Sequence, residues 1–546
     1  MKAITTKNAI ETIEVLLAAL TSLVLLLTLS AHAAAPGVKG TSFNLSAKTA
    51  YLTQPDGQMI YSWGYSCDGG GSPVPFGPSS GNACGGSMQV PGPTLIVTEG
   101  DTVHVTLTNN LPAAAGNTSI LFPGFDVTAV CATTVGCPQG LLTTEVAPGR
   151  AVTYTFTASS PGTRAYYSGT QGDLQVEMGL YGVIIVLPKN VPGNCTSGTG
   201  NFAGHNGDAE AFWHELDYRL APAAYDHPDT CYDREYLFQF SEIDPNIHYQ
   251  AEAQVAAKTG CTAGTAGCSL DVATEPYHPV YYMINGRSMP DLMDPNYAPE
   301  YPHQPYNGNP HMHPGELVLL RIVGQGRWQH PFHEHANHVR ILGRDGNLIL
   351  SSGTVNYPSG SAQGLAGPLL FTTTTTPGLA MDGIFYYTGK GLNWDMYGHN
   401  PSSSDSSALL PCIPDANGYN TLGTSYKAIN YYEWCQDHNK ALEAHPVGDV
   451  SGGGPVTLPD PNILTNGAWY GGSAYLGPNA TGRAVGPTGT TPPSGTIANS
   501  PSTEAGFAFM WHSHNEREIT TNNIFPGGML MMMLVDSREF VIDETY

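Results

Sequence analysis

The sequence predicts an all-β protein built from two β-sandwich domains. Its 546 residues include 64 glycines and 43 prolines, and only 12% are charged, a composition typical of short strands joined by turns. In several short segments apolar and polar residues alternate with a period of two, as in strands that bury one face. Patterns of the first half return in the second half, which indicates two copies of one domain.

The first domain is predicted over residues 40–190. Two strand-like stretches between positions 51 and 65 flank the turn at 55–57 and predict a hairpin. From 102 to 108 apolar and polar residues alternate strictly, which predicts a half-buried strand. The continuous apolar run at 183–187 has the length of a core strand, so these segments together favour a sandwich.

The second domain is predicted over residues 235–546, after a connector at 191–234. Strand-like segments bounded by Gly, Pro or Asn lie at 236–240, 281–284, 317–323, 338–342, 383–387, 507–511 and 529–535. A stretch from about 390 to 505 is rich in Gly, Pro and Ser and contains Cys412 and Cys435. We interpret it as a disulfide-pinned insertion in the second domain.

Residues 1–35 are predicted to be a signal peptide. Lys2 and Lys7 precede the apolar run 15–29, and the small residues at 31 and 33 supply a cleavage site. A retained membrane anchor is the alternative interpretation. Because no later segment is apolar enough to cross a bilayer, the mature chain is predicted to lack a membrane span. The expected location is secreted, periplasmic or on the cell surface.

The charge balance and the cysteines agree with an exported protein. The formal net charge of −24, from 45 acidic and 21 basic residues, argues against a nucleic-acid partner. The ten cysteines are near neighbours and suggest up to five local disulfides, although sequence cannot prove the connectivity. The expected pairs are Cys67 with Cys84, Cys131 with Cys137, Cys195 with Cys231, Cys261 with Cys268, and Cys412 with Cys435. Metal binding by these cysteines is the weaker interpretation, since none forms a Cys-x-x-Cys motif.

Two His-x-His motifs are the main candidate metal ligands. His333 and His335 lie in a histidine-rich segment that begins at His330, and His512 and His514 follow an apolar strand. Histidines two residues apart on a strand share a face at about 7 Å Cα spacing, so both can approach one metal ion or a close pair. Four imidazoles without a thiolate suit Cu(II) or Zn(II). The alternative is that they are surface or hydrogen-bonded histidines.

Two further groups of potential ligands are given structural interpretations. His311 and His313 flank a turn and are expected to be exposed to solvent. Met529 and the methionines at 531–533 are expected to fill the core, because consecutive residues on a strand alternate between faces.

The chain resembles the multicopper oxidase family. The segments 91–94 and 99–111 are similar to the family's first-domain opening, 178–182 is similar to its first-domain end, and 330–335 resembles its His-Pro-x-His-x-His motif. The resemblance implies cupredoxin-like Greek-key β-sandwich domains, copper as the cofactor and oxidoreductase activity on a small molecule or metal ion. It also implies that a homo-oligomer with copper between subunits is possible.

The sequence departs from the family's ligand pattern. The resemblance matches His330 to a type 1 copper ligand, His333 to a type 2 ligand, and His335, His512 and His514 to type 3 ligands. Ser513 stands at the type 1 cysteine position, where a hydroxyl cannot replace the thiolate, and Glu518 stands at the other type 1 histidine. Met529 matches the axial methionine only across an insertion. The first-domain His-x-His motifs correspond to 121–123 and 167–169, which contain no histidine.

Three functions are compatible with these residues. The first is a redox protein with one or two coppers on a histidine-only site and no type 1 relay. The second is copper sequestration without turnover, with zinc as the alternative metal. The third is a structural or cell-surface protein on an inherited scaffold, which predicts no stoichiometric metal. The pattern argues against a standard laccase, and it identifies no catalytic residue.

Overall fold

The computed structural model describes residues 35–69, 74–76, 84–131, 137–196, 218–313, 315–357, 360–387, 473–476, 497–498 and 505–536, together with Ile542 and Glu544. The predicted signal peptide and most of the 390–505 stretch lie outside these residues. Among the described residues, no helix has the length and hydropathy needed to cross a membrane.

The first half of the chain folds into a β-sandwich. Its elements are β1 (Gly37–Lys39), β2 (Ser42–Thr53), β3 (Met59–Cys67), β4 (Val74–Phe76), β5 (Met88–Gln89), β6 (Leu95–Thr98), β7 (Thr102–Asn109), β8 (Thr128–Cys131), β9 (Ala151–Thr157), β10 (Gly162–Tyr167), the short helix α1 (Gly172–Gln175), β11 (Tyr181–Leu187) and the short helix α2 (Gly193–Thr196). One sheet has the order β5-β3-β2-β7-β9-β8 and the other β10-β11-β6-β1-β4. The alternation in β7 places Val103, Val105 and Leu107 in the core between them.

The second half forms a second β-sandwich. Its elements are β12 (Arg234–Ile243), the helix α3 (Pro245–Ala257), β13 (Tyr281–Ile284), β14 (His311–Met312), β15 (Leu317–Gly324), β16 (His330–Glu334), β17 (Val339–Arg344), β18 (Asn347–Leu348), β19 (Leu350–Tyr357), β20 (Gly360–Leu365), β21 (Leu369–Leu370), β22 (Thr372–Thr375), β23 (Ala380–Tyr386), β24 (Ser473–Leu476), β25 (Ile497–Ala498), β26 (Ala505–Ser513) and β27 (Leu530–Asp536). The sheet β13-β12-β15-β23-β17-β18 faces the sheet β14-β27-β26-β16-β22. Phe332 and Trp511, on the paired strands β16 and β26, are fully buried between them.

The predicted all-β fold class is confirmed: the described residues form two β-sandwiches. Four of the expected disulfides are also confirmed, Cys67–Cys84, Cys131–Cys137, Cys195–Cys231 and Cys261–Cys268. Cys412 and Cys435 lie outside the described residues. The exact domain limits stay a prediction.

Helix α3 joins the two sandwiches and was not foreseen from the strand patterns. The Asp244 carboxylate accepts a hydrogen bond from the Asn246 backbone at 3.0 Å, and proline occupies the first helical position. The helix buries Ile247 and Ala251 in the core of the first sandwich. The chain that leaves β12 is therefore packed against the first domain before it returns to the second.

Candidate metal centre

The four histidines of the two His-x-His motifs lie together at one end of the second sandwich. Strand β16 pairs antiparallel with β26 so that His333 stands opposite His512. Ring centroids are separated by 5.0 Å between His333 and His335, 4.9 Å between His333 and His514, and 5.2 Å between His335 and His512. His333 and His512 are buried, whereas His514 is exposed, so the cluster opens to solvent on one side.

Only one histidine of each motif lies within a strand. Strand β16 ends at Glu334 and β26 ends at Ser513, so His335 and His514 follow the strand ends. Ala336 has a φ of +86°, a left-handed conformation that is uncommon for a residue with a side chain. This turn positions His335, and the Trp511 indole donates to the His335 carbonyl at 3.1 Å. The expectation that both histidines of each motif lie on a strand was therefore wrong.

Hydrogen bonds orient the rings of two buried histidines. The His512 Nδ1 atom lies 2.7 Å from the Ser513 carbonyl oxygen, which accepts only and therefore places a proton on Nδ1. The lone pair of neutral His512 is then on Nε2, which lies 3.1 Å from His335 Nε2. His333 Nδ1 lies 2.7 Å from the Thr372 hydroxyl on the neighbouring strand β22. These contacts direct Nε2 of His512 into the cluster.

The cluster favours neutral imidazoles. Burial, together with the neighbouring charges of His333, His512 and His514, lowers the pKa of His335 to about 4. Burial also lowers the pKa of His512. A neutral imidazole is the form that binds a metal ion, so both rings are in the ligand state at neutral pH.

The imidazole nitrogens of the four histidines meet the geometry of a copper or zinc site only in part. Two nitrogens bound to one metal ion at about 2.0 Å are separated by about 2.9–3.4 Å, and the separation between His335 Nε2 and His512 Nε2 is 3.1 Å. Within the described ranges, no group of three or more His, Cys, Asp or Glu side chains is assembled to hold a metal ion. The structure thus shows one pair at ligand spacing, with the rings of His333 and His514 beside it.

His330 is separate from this cluster. It is fully buried at the start of β16, and its Nε2 and Nδ1 atoms lie 3.0 Å from Glu242 Oε2 and 2.9 Å from Glu518 Oε2. Burial disfavours the charged imidazole, but the hydrogen bonds and charges of the two carboxylates outweigh it and raise the pKa of His330 to about 9. Because both ring nitrogens face carboxylates, His330 is an ion-pair partner in this structure.

The side chains of Ser513 and Glu518 are hydrogen-bonded to each other beside the buried His330. The Ser513 hydroxyl donates to Glu518 Oε2, and the Asn515 side-chain amide donates to Glu518 Oε1 at 2.8 Å. The partner that sequence reasoning missed is Glu242 on β12, which lies 88 residues before His330. No local motif signals it, because the contact depends on how the two sheets pack.

The comparisons with known proteins agree with the fold. Residues 77–191 match the family model of the multicopper oxidases. Laccase 1 of Metarhizium acridum is 38% identical over 101 residues, which are 18% of this chain and 15% of that protein. A copper-containing nitrite reductase of Pseudomonas chlororaphis is 37% identical over 107 residues, 19% of this chain and 26% of that protein.

Residues 77–191 of the chain thus resemble the multicopper oxidases. The matched segment spans about a sixth to a quarter of the length of these curated relatives. Among solved structures, the blue copper oxidase from Nitrosomonas europaea aligns with 90% of this chain and 85% of its own, at 15% identity and a TM-score of 0.39. The family match lies in the first sandwich, whereas the histidine cluster lies in the second.

Leu121 and residues 167–169, where the resemblance places the family's first-domain histidine motifs, line a cavity between the two sandwiches. Leu121 and Tyr167 are joined by a backbone bridge, with the Leu121 amide 2.7 Å from the Tyr167 carbonyl. Both line a cavity of about 260 Å³ that also contacts Gly326 and Gly378 of the second sandwich. None of the residues that line it is a histidine.

The other candidate ligands are buried or partly buried. His313 is 2% exposed, and its Nδ1 lies 3.1 Å from the Asp536 carbonyl, while His311 Nδ1 lies 2.7 Å from Asp536 Oδ2. The expectation that this pair is solvent-exposed was wrong: β14 pairs with β27, and both side chains contact Asp536 at the end of β27. Met529, Met531 and Met533 are fully buried in the core, as expected, whereas Met532 is only partly buried.

Proposed function

We propose that this protein is an exported copper-binding oxidoreductase whose site consists of His333, His335, His512 and His514. The single observation that carries the proposal is the pair of imidazole nitrogens of His335 and His512 at 3.1 Å within a four-ring cluster. The likeness of residues 77–191 to the multicopper oxidases supports copper over zinc as the metal. One or two copper ions per chain are expected, and His330 is left out of the site because of its two carboxylate partners.

Bound copper would supply one-electron redox chemistry at the histidines. The protein's own contribution is to hold the rings in their neutral form and to fix their nitrogens. The Ser513 carbonyl fixes the proton of His512, and Thr372 contacts His333. Exposed His514 leaves one side of the cluster open to a small-molecule or metal-ion substrate.

Copper sequestration without turnover is the second candidate. A type 1 copper needs a cysteine thiolate, and no cysteine within the described ranges is free; all eight are in disulfides. The resemblance places Ser513 at the position of that cysteine. The missing electron relay favours a protein that binds copper but passes electrons slowly.

Oxygen consumption by the copper-loaded protein separates the two candidates. An oxidoreductase reoxidises after each addition of ascorbate and consumes oxygen over many cycles. A sequestering protein keeps the same copper content but is reduced once and consumes oxygen no faster than the metal-free protein. The variant His335→Ala should abolish cycling, whereas His104→Ala, at an exposed position on β7, serves as the matched control.

Export and assembly are further parts of the proposal. Residues 1–35 would direct the chain out of the cytoplasm, which is compatible with the four disulfides described. A homo-oligomer would allow a neighbouring subunit to complete the metal coordination at the exposed side of the cluster. Sedimentation of the copper-loaded and metal-free protein tests this assembly.

A further inference from the structure

Two methionines lie on the outer face of the sheet that carries the histidine cluster. Met510 on β26 stands directly opposite Met532 on β27, and the two are called the methionine pair below. Trp511, Met531 and Met533 are buried in the core of the second sandwich. Because successive residues of a strand point to opposite faces, Met510 and Met532 point away from that core. Met510 is 37% exposed and Met532 is partly buried, so core filling does not account for the methionine pair.

The same outer face carries the histidines of the candidate metal centre. His512 follows Met510 by two residues on β26, so both side chains project from one face. On the other side of β26, the last residue of β16, Glu334, pairs with Trp511. His335 is the next residue of that chain segment, and its carbonyl accepts a hydrogen bond from the Trp511 indole. Continued by one position, the antiparallel register brings His335 alongside Met510.

Met510 is therefore a neighbour of both imidazoles that stand at metal-ligand spacing. These are His335 and His512, called the histidine pair below, whose Nε2 atoms are 3.1 Å apart. Residues opposite each other on paired strands have Cβ atoms about 4.5–5.5 Å apart, a distance that a methionine side chain spans. Met532 stands opposite Met510 on the side away from β16. Two thioethers and two imidazoles thus form one continuous group on the outer face.

Thioether sulfur distinguishes between the two oxidation states of copper. It is a soft ligand that selects Cu(I), whereas imidazole also binds Cu(II) and Zn(II). In the part of the chain that the structure describes, no group of three or more His, Cys, Asp or Glu side chains is assembled around the histidine pair. A methionine sulfur is the donor that this face can add. The formal net charge of −24 attracts cations to the protein surface, so the group is suited to a soft monovalent cation.

We propose that the methionine pair takes up Cu(I) from solution and passes it to the histidine pair. The destination rests on the proposed copper site. Transfer is a ligand exchange in which a bond from copper to a thioether sulfur breaks as a bond from copper to an imidazole nitrogen forms. Copper keeps its oxidation state throughout. A thioether carries no proton that copper must displace, so uptake by the methionine pair releases no protons.

The methyl signals of ¹³C-labelled methionine test this uptake directly. Anaerobic addition of Cu(I), supplied as its acetonitrile complex, should shift the methyl signals of Met510 and Met532 and leave the signal of Met59 unchanged. Met59 is 50% exposed on β3 of the first sandwich and serves as the internal control. Unchanged signals of the methionine pair, or an equal shift at Met59, would refute the uptake.

Replacement by leucine removes the sulfur and conserves the volume of the side chain. Met510→Leu and Met532→Leu should each weaken Cu(I) binding at least about tenfold, the lower end of what loss of a partner at a metal site typically costs. Anaerobic competition with bicinchoninate measures this affinity. Zn(II) binding should stay unchanged in both variants, and Met59→Leu should leave both affinities unchanged. If the methionine pair only packs against its neighbours, both variants keep the Cu(I) affinity of the wild type, and the proposal is overturned.

The double variant His335→Ala/His512→Ala separates failure of this uptake from failure of the copper site. The proposal predicts that Cu(I) still shifts the methyl signals of the methionine pair in this variant. If it does so while the wild type retains no Cu(II), uptake by the methionine pair stands and delivery to a histidine site is overturned. If the wild type retains Cu(II) but both leucine variants bind Cu(I) as tightly as the wild type does, the copper site stands and the uptake is overturned.

Discussion

The ion pairs of His330 predict a specific dependence of stability on pH. The pKa of His330 is raised from 6.5 to about 9, because two carboxylates outweigh the effect of burial. Because its pKa is higher in the folded than in the unfolded state, His330 stabilises the protein fully below about pH 6.5. This contribution to stability is lost as the pH rises through about 9. At about 1.4 kcal/mol per pKa unit, the shift corresponds to about 3 kcal/mol of the free energy of unfolding. Because the ring is buried, solvent screens its interaction with the carboxylates only weakly.

Glu518→Gln tests this magnitude. The two carboxylates lie at nearly equal distances from the ring, 2.9 and 3.0 Å, and the opposing effect of burial stays in the variant, so removing one charge should remove more than half of the pH-linked contribution. Guanidinium unfolding of the second sandwich, followed at pH 6.5 and pH 9.5, gives the free energy of unfolding for both proteins. Over this interval the wild type should lose about 3 kcal/mol from His330, and the loss in the variant should be smaller by more than about 1.5 kcal/mol. Parallel pH profiles would contradict the assignment of a protonated His330.

Three further predictions concern the core, the disulfides and the metal site. Trp511→Ala should lower the free energy of unfolding by about 3–5 kcal/mol, because it leaves a cavity beneath β16 and β26, and denaturant unfolding checks this. Replacing Cys195 and Cys231 by serine should lower the free energy of unfolding by about 2–4 kcal/mol, because the disulfide closes a loop that spans the connector. The melting temperature of this variant should equal that of wild-type protein in which the same disulfide has been reduced. Copper binding should weaken as pH falls through about 4, where the pKa of His335 places its protonation, and equilibrium dialysis between pH 3 and pH 7 measures this.

Local sequence patterns were sufficient to predict the fold class. The alternation of Val103, Val105 and Leu107 predicted β7 because the period of a strand is fixed by backbone geometry. The near-neighbour cysteines predicted four disulfides because short separations leave few alternative partners. Helix α3 was missed, since its packing against the first sandwich through Ile247 and Ala251 depends on the arrangement of both domains.

The candidate site was predictable in composition but not in detail. The two His-x-His motifs identify the four rings, which the structure brings together through the pairing of β16 with β26. The turn at Ala336 and the role of Glu242 are tertiary features, and neither follows from residue spacing. Sequence reasoning also placed His330 among the metal ligands, whereas its two carboxylate partners become visible only when the sheets are packed.

Elemental analysis with electron paramagnetic resonance on one copper-loaded sample tests the central claim most directly. The wild type and His104→Ala should each retain one or two coppers per chain, with a spectrum of nitrogen-ligated Cu(II) and no intense blue absorption. The double variant His335→Ala/His512→Ala should keep its fold, shown by circular dichroism, and retain no stoichiometric copper. Equal copper content in the double variant and the wild type would contradict the assignment of the site to these histidines.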